Sequence, residues 1–276
     1  MSVESGIPDF RSEGGLWSKF DPNVCASYQQ FMKDPKPFWD MSKAVSEILS
    51  KAFPNPGHKG FATLEKYGKV KAIITQNIDG LHQAAGSKVV YEVHGHAKTG
   101  TCLNCSQKYT ADEVKAFFTK SLPPACIKCG SNKVKTDVIM FGEGLPDDIL
   151  SNAIISCKTC DVLIMTGSSL TVTPANMLPL TAKKAGAKVI FLNKDPTDMD
   201  HIADIIIRGK IGEIMPKIIA SYDKIAGTGE DKKTTKEEGE NKKDETKKEE
   251  GKPTTKIEGD DDAVESLEKD MSNLKV

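Results

Sequence analysis

Arginine is nearly missing from this sequence. Against 36 lysines there are two arginines, Arg11 and Arg208. Lysine suffices wherever a point charge is enough, so a retained arginine marks a place for planar, two-pronged hydrogen bonding. Arg11, beside the Gly6-Ile7-Pro8 turn, is the first candidate. Also missing is any apolar run near the ~18 residues that a membrane-spanning helix needs, so no membrane association is expected. The start, MSVESGIPDF, has neither a basic cluster nor an apolar stretch, so no export signal is expected there. Strong net charge is absent too: Lys+Arg 38 stands against Asp+Glu 39 over 276 residues. That balance is a cancellation. Residues 227–276 hold 11 Lys and 16 Asp/Glu, a net of −5, which leaves +4 on residues 1–226. A body this weakly basic gives no argument for direct nucleic-acid binding.

The seven cysteines are an odd number without an export signal, so a disulfide framework is not expected. Four of them form Cys102-Leu-Asn-Cys105 and Cys126-Ile-Lys-Cys129, two CxxC pairs with 20 residues between them. Two such knuckles aim four thiolates at one point and complete a tetrahedron for one Zn²⁺. Four protein ligands leave no open position, so this zinc is structural. Cys157-Lys-Thr-Cys160 ends a helical pattern and runs into a strand, the reverse of a redox CxxC, and reads as packing. Cys25 reads the same way.

Strand-like runs lie at 70–75, 89–93, 136–141, 161–167, 187–193 and 203–209. Several are continuously apolar and β-branched, as in strands buried on both faces. Helical patterns fall at about 35–52, 57–68, 146–159, 174–185 and 211–225. The alternation predicts an α/β fold with a Rossmann-like parallel sheet. The zinc segment, about 96–135, interrupts it as an inserted module. Residues 12–60 form a helical cap and loop over the sheet. The catalytic body is expected to span 1–226. Residues 227–276 have too little apolar side chain to repay ordering; 227–262 are expected to be disordered, with a transient helix over 263–275.

A doubly wound sheet binds nucleotides where its strands end. Those ends carry Gln76-Asn77-Ile78-Asp79-Gly80-Leu81-His82, His94-Gly95-His96, Gly167-Ser168-Ser169-Leu170 and Asn193-Lys194-Asp195. Amides, hydroxyls and a carboxylate at four successive ends suit a sugar-and-phosphate ligand. Ser5-Gly6-Ile7-Pro8-Asp9-Phe10-Arg11 adds an aromatic ring and a cation. His96 reads as flanking, His82 as structural and His58 as fixing a helix start.

SVESGIPDFRS, PNPGH, ITQNIDGLHQAAG, YEVHGH, the paired CxxC, VIMFGEGLP, GSSLTVTPANMLP and VIFLN occur in this order over residues 2 to about 222. The chain resembles the sirtuins, the NAD-dependent protein lysine deacylases. The resemblance implies that NAD is cleaved between nicotinamide and ribose and that the sugar carbon traps the acyl oxygen of a modified lysine. It implies His94 as general base acting on the ribose hydroxyls, with Asn77 and Asp79 holding ribose and carboxamide at the reacting centre. Phe10, Arg11, Gln76, Ile78, Gly167, Ser168, Ser169, Asn193 and Lys194 match further cofactor positions. Val138, Ile139, Phe141, Gly142 and Glu143 match the strand that lies along the acyl-lysine peptide. Acetylated proteins are the implied partners. The region 38–45 lacks the Tyr and Arg that acid-selective members carry, so acetyl or other neutral acyl groups are expected.

Family members place a strand and a Gly-Ala-Gly turn ahead of the equivalent of Ser2-Val3-Glu4-Ser5, where this sequence has Met1. The expectation is a sheet without its first strand, with bare neighbouring edges, weakened phosphate binding and much reduced NAD binding and activity, either because the sequence starts inside a longer protein, the favoured reading, or because the product is a crippled enzyme. Two other activities compete: mono-ADP-ribosyl transfer, and non-catalytic binding of acyl-lysine or a partner. Thiols and zinc point to a reducing compartment, cytoplasm or nucleus. The residues leave the oligomeric state open.

Overall fold

The structure, a computed structural model, describes residues 1–227. Of the disorder expected over 227–262 all but Gly227, and all of the helix expected over 263–275, lie outside the described residues. After a 3-10 turn at Ser2–Ser5 come α1 (Leu16–Lys19), α2 (Pro22–Cys25), α3 (Tyr28–Lys33), α4 (Lys36–Leu49) and α5 (Pro56–Lys66). Next are β1 (Ile73–Thr75), α6 (Leu81–Ala84) and β2 (Val90–Glu92). Then follow β3 (Gly95–Cys102), β4 (Lys108–Tyr109), α7 (Ala111–Phe117) and β5 (Val134–Val138). The chain continues through α8 (Asp147–Thr159), β6 (Val162–Thr166), α9 (Leu178–Lys184), β7 (Lys188–Leu192), β8 (Ile205–Ile207) and α10 (Ile211–Ala226). None of these helices is long and apolar enough to cross a membrane.

The parallel strands form two groups, β1-β2 and β6-β7-β8. Both are covered by the same helices. On one face Ile73 of β1 shares a core with Ile190 and Leu192 of β7, Phe61 and Leu64 of α5, and Ile214, Met215 and Ile218 of α10. On the other face Ile74 of β1 and Leu163 of β6 pack with Ala153 and Cys157 of α8 and Leu178 and Ala182 of α9. Neighbouring residues of a strand face opposite sides, so Ile73 and Ile74 enter different cores. These are two halves of one sheet between common helix layers. The facing edges of β1 and β6 have no strand partner among the described residues, and one continuous cleft touches both. Among the described residues the sheet therefore has a gap between β1 and β6. Where α5 and α10 cross, a Cβ on Gly60 would lie 2.0 Å from Met215 Cγ, so only glycine permits that approach.

The third sheet, β4-β3-β5, is antiparallel and belongs to the zinc module. It corrects two expectations. The module's sheet runs from Gly95 to Val138, a little beyond 96–135, and the run at 136–141 is not one strand of the parallel sheet. Its first half completes β5; Phe141 makes only an isolated bridge to Ser27. Helices α1 to α4 lie in the region 12–60 that was expected to form the helical cap. Its α4 buries Phe38, Trp39 and Met41, and the Trp39 indole donates to Val134 O at 2.9 Å, tying cap to module.

The four cysteine sulfurs lie within 4.8 Å of one another. Cys102 and Cys129 are 3.7 Å apart, and Cys105 and Cys126 are 3.6 Å apart. Tetrahedral zinc with bonds of about 2.3 Å needs sulfurs about 3.8 Å apart, so the cluster fits one zinc ion. The Tyr109 hydroxyl and the Asn104 amide donate to Cys126 and Cys129, which favours the thiolates. Cys25 and Cys157 are buried in apolar cores, and burial pushes the Cys157 thiol up to about 11, consistent with packing.

Two outcomes are expected. Purified protein carries one equivalent of zinc, and stripping it with a chelator lowers Tm by about 10 °C or more, because metal binding is part of folding here. An unchanged melt in zinc-free protein would contradict this. Fusing a five-residue Val/Ile segment ahead of Met1 through a short glycine connector fills the gap between β1 and β6. It raises Tm by about 5 °C or more over the same fusion carrying two prolines, which cannot pair. Equal melts would show that the gap takes no strand.

Candidate active site

Register builds the site. Thr75 pairs with Glu92, and Thr166 with Leu192, so within each half of the sheet the strands end at one level. The loops that follow face one cleft of about 1940 Å³. Every residue named above as catalytic, cofactor-facing or substrate-facing lines it, and none of the four zinc cysteines does.

The loop after β1 is tightly held. Asn77 N donates to Thr75 Oγ1 at 3.0 Å. Asp79 accepts from Leu81 N at 2.8 Å and from the Ser2 hydroxyl at 2.6 Å. The same hydroxyl accepts from Asn77 Nδ2 at 2.8 Å. Ser2 thus links the two side chains expected at the reacting centre. Nothing marked it in the sequence beyond its place in SVESGIPDFRS. Behind this loop His58 and His82 pack edge to face, ring centroids 4.8 Å apart. Burial pushes both imidazoles down to about 4, so they stay neutral at pH 7. His58 Nδ1 accepts from Asn55 N in a capping box that opens α5, as expected of it.

His94 follows β2 and is half-buried. Its Nδ1 lies 3.3 Å from Gln76 O. A carbonyl only accepts, so the neutral ring carries its proton on Nδ1 and keeps Nε2 as a base. Burial lowers the His94 pKa, and the Gln76 carbonyl only partly offsets that. The next residue must be glycine: at φ 67°, a Cβ on Gly95 would sit 1.9 Å from Asp137 O.

Across the gap, Gly167, Ser168 and Ser169 turn away from β6, and Met1 N packs against Gly167. Asn193 lines the cleft as well. It is buried, and its Nδ2 donates to Ser168 O and Asp195 O, so its amide nitrogen braces the loop. Arg208 does the forked work anticipated for a rare arginine. Its guanidinium donates to Asn193 O, Asp195 O and the Asp200 carboxylate. Scarcity marked Arg208 as clearly as Arg11, which is exposed at the cleft mouth. Lys194 is exposed and lines the same cleft.

Phe10 stacks near Trp17 at 5.0 Å, and Trp17 near Phe141 at 6.4 Å, giving an aromatic row over the cleft. Trp17 carried no signal in the sequence. Of the expected substrate-facing run, Ile139 N donates to His94 O at 2.9 Å. Phe141 has both backbone groups engaged, with Ala26 O and Tyr28 N, and offers its half-exposed ring instead. Val138, Gly142 and Glu143 complete the wall.

The Sir2 family matches residues 1–174. The NAD-dependent protein deacylase 2 of Archaeoglobus fulgidus is 48% identical over 225 residues, 82% of this chain and 88% of that one. The NAD-dependent protein deacetylase of Sulfurisphaera tokodaii is 46% identical over 220 residues, 79% of this chain and 86% of that one. A solved Sir2 complex with p53 peptide and NAD+ superposes with a TM-score of 0.74 at 35% identity, covering 83% and 90% of the two chains. A Sir2 protein bound to a myristoylated histone peptide gives 0.70 at 42% identity, covering 82% and 90%. With this cleft, this cysteine cluster and these relatives, the chain belongs to the Sir2 family.

Proposed function

We propose that the chain is an NAD-dependent protein lysine deacetylase that acts on acetylated proteins, with residues 1–226 as its catalytic unit. The observation that carries this reading is the His94 ring, locked through Nδ1 so that Nε2 is a neutral base in the cleft. When bound, NAD supplies an electrophilic sugar carbon with nicotinamide as its leaving group. Asn77 and Asp79, fixed by Ser2, hold the carboxamide and ribose, with Gln76 and Ile78 beside them. His94 Nε2 accepts a proton from a ribose hydroxyl. Backbone amides at Gly167–Ser169 receive the phosphates, and Asn193 and Lys194 bound the adenosine end. Phe10, with Trp17 against it, keeps water from the reacting face, and Arg11 orients the loop that carries them. Val138 to Glu143 run along the peptide.

The acyl end is apolar. Phe38, Met41, Val45, Val114 and Phe118 line the cleft between cap and zinc module. An acidic acyl group would find no arginine on the cap stretch 38–45, whereas neutral acyl groups of varied length suit an apolar lining. Seven free thiols, four of them set for zinc, agree with a reducing compartment, cytoplasm or nucleus.

His94→Ala is expected to cut deacetylation, followed with nicotinamide release on an acetyl-lysine peptide, by about 10²-fold or more. Equal rates would favour the binding-module reading. Recovery of ADP-ribosylated protein in place of O-acetyl-ADP-ribose would favour the transferase. In the wild type, kcat/KM falls as pH drops through a pKa below 6.5, because protonated His94 cannot accept a proton; a limb at pH 7.5 would argue for another base. On matched peptides, acetyl is removed at least about tenfold faster than succinyl. Equal or faster succinyl removal would remove the case for a neutral acyl site.

A further inference from the structure

Lys135 is the only Lys, Arg, Asp or Glu that is fully buried among the described residues, at 4% exposure. Such a residue is almost never buried unless paired. It stands on β5, outside every role assigned above. Its Nζ lies 3.3 Å from Glu143 Oε2 and donates to Val138 O at 2.7 Å and Thr136 O at 3.3 Å. The same Glu143 oxygen accepts from Met140 N at 2.7 Å, and Glu143 N donates to Met140 O at 3.0 Å.

These bonds surround the segment that leaves β5, whose ladder ends with Val138 opposite Gly95 and is followed only by the isolated Phe141–Ser27 bridge. Val138 O is held by Lys135, Ile139 N by His94 O, Met140 N by the Glu143 carboxylate, and Phe141 by Ala26 and Tyr28. No continuous ladder sets its register. The buried ion pair grips it from both sides, through a carbonyl and an amide two residues apart. Lys135 lies one residue after Val134, whose carbonyl anchors Trp39 and whose strand partner is the zinc ligand Cys102.

We propose that Lys135 is a positioning residue for the acyl-lysine peptide. Through Glu143 it sets the register of Val138–Glu143 and couples the zinc module to peptide affinity. This rests on the reading of that segment as substrate-facing.

The test compares wild type with Lys135→Met, Lys135→Arg and Glu143→Gln, all checked for zinc content. Lys135→Met is expected to raise KM for an acetyl-lysine peptide about tenfold with KM for NAD within about twofold. Amide hydrogen exchange at Met140 and Phe141 quickens about tenfold. Lys135→Arg, which keeps the charge, restores most of both. If Lys135→Met does not fold, Glu143→Gln decides: it keeps an acceptor for Met140 N but removes the charge, and raises peptide KM by a smaller factor. Unchanged peptide KM and exchange in the folded variants overturn the proposal. So does an equal rise in both KM values with a lowered Tm, which marks a merely structural lysine. If wild type shows no peptide-dependent nicotinamide release, the functional reading falls, and the exchange data still decide whether Lys135 positions the segment.

Discussion

Parallel pairing in register makes strands end together, and the chemistry of this molecule depends on that constraint. Thr75 stands level with Glu92, and Thr166 with Leu192. Each next residue must leave the sheet, and its polar groups turn toward a shared cleft because helices cover both faces. Residues far apart in sequence, such as Asp79 and Asn193, thus come to line one cleft. The helix layers do this even though β1 and β6 are not bonded to each other. Phe61, Met215 and Ile218 on one side, and Ala153 and Leu178 on the other, grip both halves of the sheet.

Charge is arranged sparingly around this frame. Glu4 accepts from Gly212 N at 3.1 Å, placing a carboxylate at the amino end of α10, where the helix dipole favours it. His58 and His82 sit close behind Asp79 but are kept neutral by burial, so they add bulk to the site without adding charge. Lysine carries nearly all surface positive charge, and Arg208 is used where three acceptors must be gathered by one group.

The β-branched runs around Ile73, Ile164 and Ile190 were legible as strands because burial on both faces leaves no polar alternative. The zinc cluster was legible because knuckle spacing is geometry written in sequence. The expected cofactor and peptide residues were found together, but their division of labour was not readable. Asn193 was marked by its place at a strand end, but that its amide nitrogen also braces the Ser168 and Asp195 carbonyls is a long-range arrangement that spacing does not encode. Ser2 and Trp17 were invisible because a hydroxyl or ring becomes informative only through what it touches. Ile139–Phe141 has the composition of a strand and fails to be one because Ala26, Tyr28, His94 and Glu143 take its backbone individually.

The gap between the two half-sheets has a mechanical meaning. Interiors usually pack densely and resist compression. Here the space between β1 and β6 opens into the cleft, with Ile73 and Ile164 on its walls. Space that opens to the cleft admits water, which can satisfy the backbone groups on the facing edges of β1 and β6. The seam is thus a joint in the sheet that backbone bonds do not cross and that the helix layers on its two faces hold together.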